Sequence, residues 1–139
     1  MRLMTQDILL TDFDRRRLDG LLRVLRERSA VDPWNLHALE LELERAEVVP
    51  PERVPSDVVT MNSRVSLLDL DSGARTAVSL VFPDTPGDAS RVAVLSPLGL
   101  ALLGCREGDV LAWQTAEGPR QLRVDSVIYQ PEAAGNYFV

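Results

Sequence analysis

An α+β fold follows from three features of the 139-residue chain. Leucines recur at three- and four-residue spacing through the first fifty residues, the period of one helix face. From residue 57 onward apolar and polar residues alternate, the period of a half-buried strand. Between the two stands "PPERVPS", residues 50–56, whose prolines cannot continue a helix. The expected architecture is a short antiparallel helical hairpin over 1–49 and a proline-rich linker over 50–56. A small, mainly antiparallel sheet domain with one short helix follows over 57–139.

In the first helix, "TDFDRRRLDGLLRVLRERS", Thr11 and Asp12 are candidate N-caps and Asp14 lies in the first turn. Leu18, Leu21, Leu22 and Leu25 form one apolar stripe. Gly20 costs about 1 kcal/mol against alanine in mid-helix and is expected to mark a close neighbour. The chain turns through "SAVDPWN", where Asp32 can cap a second helix starting at Pro33. Leu36, Leu39, Leu43 and Ala46 then form a short heptad-like seam. Two helices joined by so short a loop pack antiparallel, with a reach of about 25 Å at 1.5 Å per residue. Arg15, Arg16, Arg17, Arg23, Arg26 and Arg28 are interleaved with acids and face Glu40, Glu42, Glu44 and Glu47, so a salt-bridged hairpin is expected.

In the second half "VVTMNSRVSLLDL" (58–70) reads as a strand with Thr60, Asn62 and Arg64 facing away from Val59, Met61 and Val65. "DSG" supplies a turn, "ARTAVSLVF" a strand and "PDTPGDAS" (83–90) a loop. "RVAVL", "DVLAWQT" and, after the turn "AEGP", "RQLRVDSVIYQ" complete about five strands. The aromatic ending of "PEAAGNYFV" is expected to dock.

Composition removes several function classes. A net charge of −6 offers no global field for nucleic acid, so direct contact with DNA or RNA is not expected. All 15 basic residues are arginine, which removes amine nucleophiles and the lysine of a phosphate loop. One cysteine, Cys105, and one histidine, His37, leave no multi-residue soft-metal site. No apolar run approaches a membrane span and no secretory leader is visible, so a soluble cytoplasmic protein is expected.

The glycine-rich stretch "SPLGLALLGCREGDVLAW" (96–113) invites a phosphate-loop reading. That loop needs GxxxxGK[ST], and here Gly104 is followed by Cys105 and Arg106. The residues fit a helix instead: Ser96 as N-cap, Pro97 at its first position, Gly104 just past its end and Gly108 in the next turn. Ser63 and Ser96 lack a histidine base nearby, and the pairs Asp69/Asp71 and Glu107/Asp109 flank turns, where acids are common. No cofactor and no active site are expected; a binding protein is.

"DVVTMNSRV" (57–65), "SPLGLALLGCREGD" (96–109) and "YQPEAAGNY" (129–137) together resemble the Rnk family, regulators of nucleoside diphosphate kinase. The middle motif is shared with the C-terminal domain of Gre transcript-cleavage factors. The resemblance implies an FKBP-like C-terminal domain, a short antiparallel coiled coil, and RNA polymerase as partner near its secondary channel. Gre factors reach down that channel with a long coiled coil whose acidic tip holds a catalytic magnesium. Here the hairpin is shorter and its tip "ERSAVDPWN" (27–35) offers Asp32 without an adjacent acid. The resemblance therefore implies a non-catalytic competitor of Gre factors that does not stimulate cleavage. Ser96 and Pro97 match the turn that Gre factors present to polymerase, with Leu95 where an acid would be expected. A prolyl isomerase and a direct regulator of nucleoside diphosphate kinase are the alternatives, although seven aromatics leave few for an isomerase pocket. A monomer is expected, because the hairpin satisfies its own seam.

Overall fold

The computed structural model describes residues 8–28, 33–83, 90–115 and 117–136. Asp32, most of the 83–90 loop and the aromatic ending from Tyr137 lie outside these residues, as does Ala116 in the "AEGP" turn.

The chain opens with a three-residue strand, β1 (Leu9–Thr11), followed by α1 (Asp12–Arg28) and α2 (Pro33–Arg45). Thr11 caps α1, its Oγ1 accepting the Asp14 N–H at 3.0 Å. Leu18 and Leu22 are buried and Leu21 and Leu25 lie partly buried against them, so the leucine stripe does face the core. Leu39 and Leu43 supply the matching contacts from α2. Among the described residues nothing lies within 4 Å of the place where a Cβ of Gly20 would stand, so Gly20 marks no close neighbour there. Among the ion pairs, Arg15–Asp19, Arg17–Asp14 and Arg45–Glu42 stay within one helix, and Arg26–Glu40 joins the two.

The segment read as a helical hairpin over 1–49 also holds two short strands that its leucine spacing does not announce. The second helix stops at Arg45, and Glu47–Val49 form β2, which pairs in parallel with β1 from Leu9↔Glu47 to Thr11↔Val49. The Glu47 N–H donates to the Ile8 carbonyl at 2.8 Å. This ribbon holds the entrance and exit of the helical segment side by side.

After a single 3-10 turn (Pro51–Arg53), the sheet comprises β3 (Arg64–Asp69), β4 (Arg75–Val81), β5 (Arg91–Ala93), β6 (Val110–Thr115) and β7 (Gly118–Tyr129). Its order is β5-β4-β3-β7-β6, antiparallel except where β5 runs parallel to β4. Two register shifts between β3 and β7, at Arg64/Val65 and Ser66/Leu67, curl the sheet. The strand expected from residue 58 begins at Arg64. Asn62, at φ 66°, breaks the alternation, and Thr60 and Ser63 turn inward with no exposure.

The core does not divide at the linker. Ile8, Leu10, Leu18, Leu39 and Leu43 belong to one apolar cluster with Val59, Met61, Leu102, Leu103 and Leu111. Helices and sheet therefore lose their packing together. Unfolding in urea is expected to be one transition. Circular dichroism of the helices and amide hydrogen exchange of the sheet strands should give one midpoint. Leu39→Ala lowers stability by the same amount in both measurements, about 2–5 kcal/mol. A loss seen by circular dichroism alone would show the helices melting separately.

Candidate protein-binding site

The helix that follows β5, α3 (Pro97–Leu102), is set at both ends by its own sequence. Ser96 is extended (φ −72°, ψ 157°), its Oγ accepts the Gly99 N–H at 3.0 Å, and Pro97 takes the first helical position. The same hydroxyl donates to the Ala93 carbonyl at 2.7 Å, which fastens the start of α3 to the end of β5. A Cβ at position 99 would overlap that carbonyl, so only glycine lets α3 lie this close to β5. At the other end Gly104 has φ 78°, which places the helix stop where the sequence reading set it.

The three glycine N–H groups are all used inside the chain. Gly99 donates to Ser96, Gly104 to the Val59 carbonyl and Gly108 to the Val124 carbonyl. None remains to cradle a phosphate, so the glycine spacing serves packing and turns.

Ser96 and Pro97 stand on the rim of a groove of about 480 Å³. Its floor is Leu67, Val78 and Leu122 from three neighbouring strands; Val92, Ala93 and Leu98 form a wall. Besides Ser96, the polar members of the lining are Asp69, Thr76 and Arg91. Asp69 is occupied. Its carboxylate accepts Arg120 at 2.6 Å and the N–H groups of Asp71 and Ser72 at 2.9 and 3.1 Å. The Arg120 hydrogen bond holds the Asp69 carboxyl below the usual range, and Asp69 in turn raises Arg120. Asp69 is thus a fixed negative charge on the groove wall with no proton to exchange near neutrality.

Of the residues singled out in sequence, Ser96 is partly buried and Pro97 exposed, side by side at the groove. Leu95 is buried in the core. Asp32 falls outside the described residues. The groove partners Leu67, Val78, Leu98 and Leu122 carry no chemical signature, and only strand pairing brings them together.

Sequence also missed two buried carboxylates. Asp14 has no exposure, and Glu132, in the turn after β7, is 8% exposed. Asp14 accepts Arg17 at 2.5 Å and the Met61 N–H at 3.1 Å, so it ties α1 to the turn before β3. The Arg17 guanidinium stacks on Phe13 and Phe82, 4.3 and 4.8 Å from their ring centres. Glu132 accepts the Thr60 hydroxyl at 2.6 Å, and Thr60 shares a hydrogen bond of 2.8 Å with Ser63. Ser63 is therefore held in a structural network, its Oγ also accepting the Thr60 N–H at 2.9 Å, while His37 is exposed on α2. The signal available was the acidic and hydroxyl set Asp14, Thr60, Ser63 and Glu132, scattered too widely along the chain to be read as a cluster. Among the described residues no group of three His, Cys, Asp or Glu side chains is placed to hold a metal, and no helix is long and apolar enough to cross a membrane.

Comparison with known proteins fits this geometry. Residues 54–129 match the family model of the GreA/GreB transcription elongation factor C-terminal domain, and residues 6–49 match the Rnk N-terminus. This class is that of Gre-type transcription factors, and the chain belongs to its Rnk family. The regulator of nucleoside diphosphate kinase of Escherichia coli K12 is 41% identical over 95% of this chain and 96% of its own. The transcription inhibitor protein Gfh1 of Thermus thermophilus is 35% identical over 78% of this chain and 69% of its own. The solved GreA/GreB-type elongation factor of Nitrosomonas europaea superposes with a TM-score of 0.77 at 36% identity, covering 90% of this chain and all of that one.

The two buried carboxylates give the fold a pH dependence of definite sign. Burial is the largest influence on each and raises both above their ordinary values of 3.8 and 4.5. The folded chain holds these protons more tightly than the unfolded chain does. The resulting stability is complete below about pH 4 and is lost as pH rises through the raised values. Glu132→Gln should therefore gain stability relative to wild type as urea unfolding is followed from pH 4 to 8. A difference that stays constant across that range would show Glu132 titrating at its ordinary value.

Proposed function

We propose that this protein regulates transcription by binding RNA polymerase near its secondary channel, with Ser96, Pro97 and the adjoining groove as the contact surface. The observation that carries this reading is the exposed Pro97, fixed by the Ser96 cap on the lip of an apolar groove. The groove's volume and lining are those of a site that takes side chains of a partner. Membership of a family whose relatives are named elongation factors and inhibitors of transcription supports this partner class.

The helices speak for a role without transcript cleavage. At 17 and 13 residues they span about 26 and 20 Å. The tip contributes one aspartate, Asp32, where an adjacent pair of carboxylates would be needed to hold a magnesium ion. A short arm that occupies the mouth of the channel competes with Gre-type factors and adds no chemistry of its own. In this reading the sheet domain is FKBP-like, α1 and α2 form a short coiled coil, and the protein is a cytoplasmic monomer that needs no cofactor. The domains are the helical segment to residue 49 and the sheet domain from residue 57, joined by 50–56.

One alternative has an observation in its favour: the Escherichia coli relative is named for nucleoside diphosphate kinase. A change in transcription would alter that kinase's level without contact. Unchanged kinetics of the purified kinase in the presence of this protein would separate the two. The prolyl-isomerase reading loses ground, because no aromatic side chain lines the groove among the described residues.

The decisive experiment is capture of core RNA polymerase by the purified protein. The double variant Ser96→Ala, Pro97→Ala should lose capture while keeping the wild-type circular dichroism spectrum, since loss of the cap costs only about 1 kcal/mol. Stalled elongation complexes should show no added cleavage, and should resist cleavage when a Gre factor is added afterwards. Absence of polymerase capture by the wild-type chain overturns the proposal.

A further inference from the structure

The two ends of α3 touch different things. Its N-terminal end carries Ser96 and Pro97 on the groove rim, pressed onto β5 through Gly99. Its C-terminal end meets the root of the helical segment. A Cβ at Gly104 would overlap the Ile8 side chain, so the two are already in close contact. Ile8 is 2% exposed, stands immediately before β1, and accepts the Glu47 N–H that opens β2. The backbone beside Gly104 is fixed as well: Gly104 N–H donates to Val59 at 3.0 Å and Val59 N–H donates to Cys105 at 2.7 Å. Only about 9 Å of helix, at 1.5 Å per residue, separates the surface-facing end of α3 from that root.

We propose that α3 is a strut that sets the direction of α1 and α2 relative to the Ser96–Pro97 surface, with Gly104 and Ile8 as its positioning residues. The contact is tight enough to leave no room for a methyl group, and close-packed interfaces pass on displacements that loose ones absorb. A shift at Gly104 therefore moves Ile8, and with Ile8 both strands of the ribbon from which the helices spring. The functional side of this inference rests on the polymerase reading above: a partner held at Ser96–Pro97 receives the helical arm at one fixed angle.

The angle is measured in the free, full-length protein from residual dipolar couplings of its backbone N–H groups. In Ile8→Ala the couplings of α1 and α2 should depart from their wild-type orientation relative to the sheet, while those within the sheet stay on the wild-type correlation. Val124→Ala, a truncation of an equally buried side chain on β7, should leave the relative orientation unchanged even though it lowers stability. Gly104→Ala should displace the helices in the same assay; if it does not fold, Ile8→Ala decides. Helix couplings that remain on the wild-type orientation in Ile8→Ala overturn the strut. With polymerase, Ile8→Ala should bind several-fold more weakly than wild type and displace a bound Gre factor correspondingly less well, and wild-type binding and displacement would show that the arm's angle is not used. Retention of polymerase by the Ser96→Ala, Pro97→Ala variant would instead overturn the docking surface and leave the dipolar-coupling result standing.

Discussion

A carboxylate with no exposure to water must find donors within the chain, and Asp14 finds them in two places. Arg17 comes from its own helix and the Met61 N–H from the turn before β3. The first contact neutralises the charge; the second fixes where the helical segment meets the sheet. Much else follows from that placement. Thr60 and Ser63 turn inward beside Met61, Glu132 is drawn onto Thr60, and Val59 is carried to the Cys105 backbone. A neutral side chain at position 14 would leave Arg17 half-enclosed between two phenyl rings without its countercharge.

The groove is the open part of the same construction. The curled sheet turns Leu67, Val78 and Leu122 to one side, and α3 covers only part of it. Because Gly99 lets α3 sit hard against β5, the uncovered part is a defined recess with Ser96 and Pro97 at its lip. Its acidic member, Asp69, is braced by Arg120, which is itself held by Glu117. Such a surface offers shape and apolar area with little freedom to rearrange, which suits recognition of a preformed partner more than chemistry on a small substrate.

Several features were legible in the residues because they depend on local rules. The leucine stripes of α1 and α2 have the helical period, Ser96-Pro97 is a capped helix start, and Gly104 ends that helix. Other features depend on partners far away in the chain. β1 and β2 have three residues each, too few to show alternation, and exist because each completes the other. Thr60 alternates correctly for an exposed strand residue, and the positive φ of Asn62 two positions later defeats the pattern. Gly99 looked like a phosphate-loop residue, and its purpose is visible only when the Ala93 carbonyl is seen beneath it. The groove floor could not be anticipated at all, since three ordinary aliphatic residues become a site only through the order of the strands.

The parallel ribbon of β1 and β2 has one more consequence. By bringing Thr11 beside Val49 it makes the span from Asp12 to Arg45 an insert clasped at its base. Whole turns added to or removed from both helices change its extent by about 5.4 Å each and leave every pair of the ribbon in place. The clasp thus separates two properties that are usually bound together, the length of a projecting arm and the integrity of the body that carries it. A lineage that keeps the clasp is free to lengthen or shorten what lies beyond it.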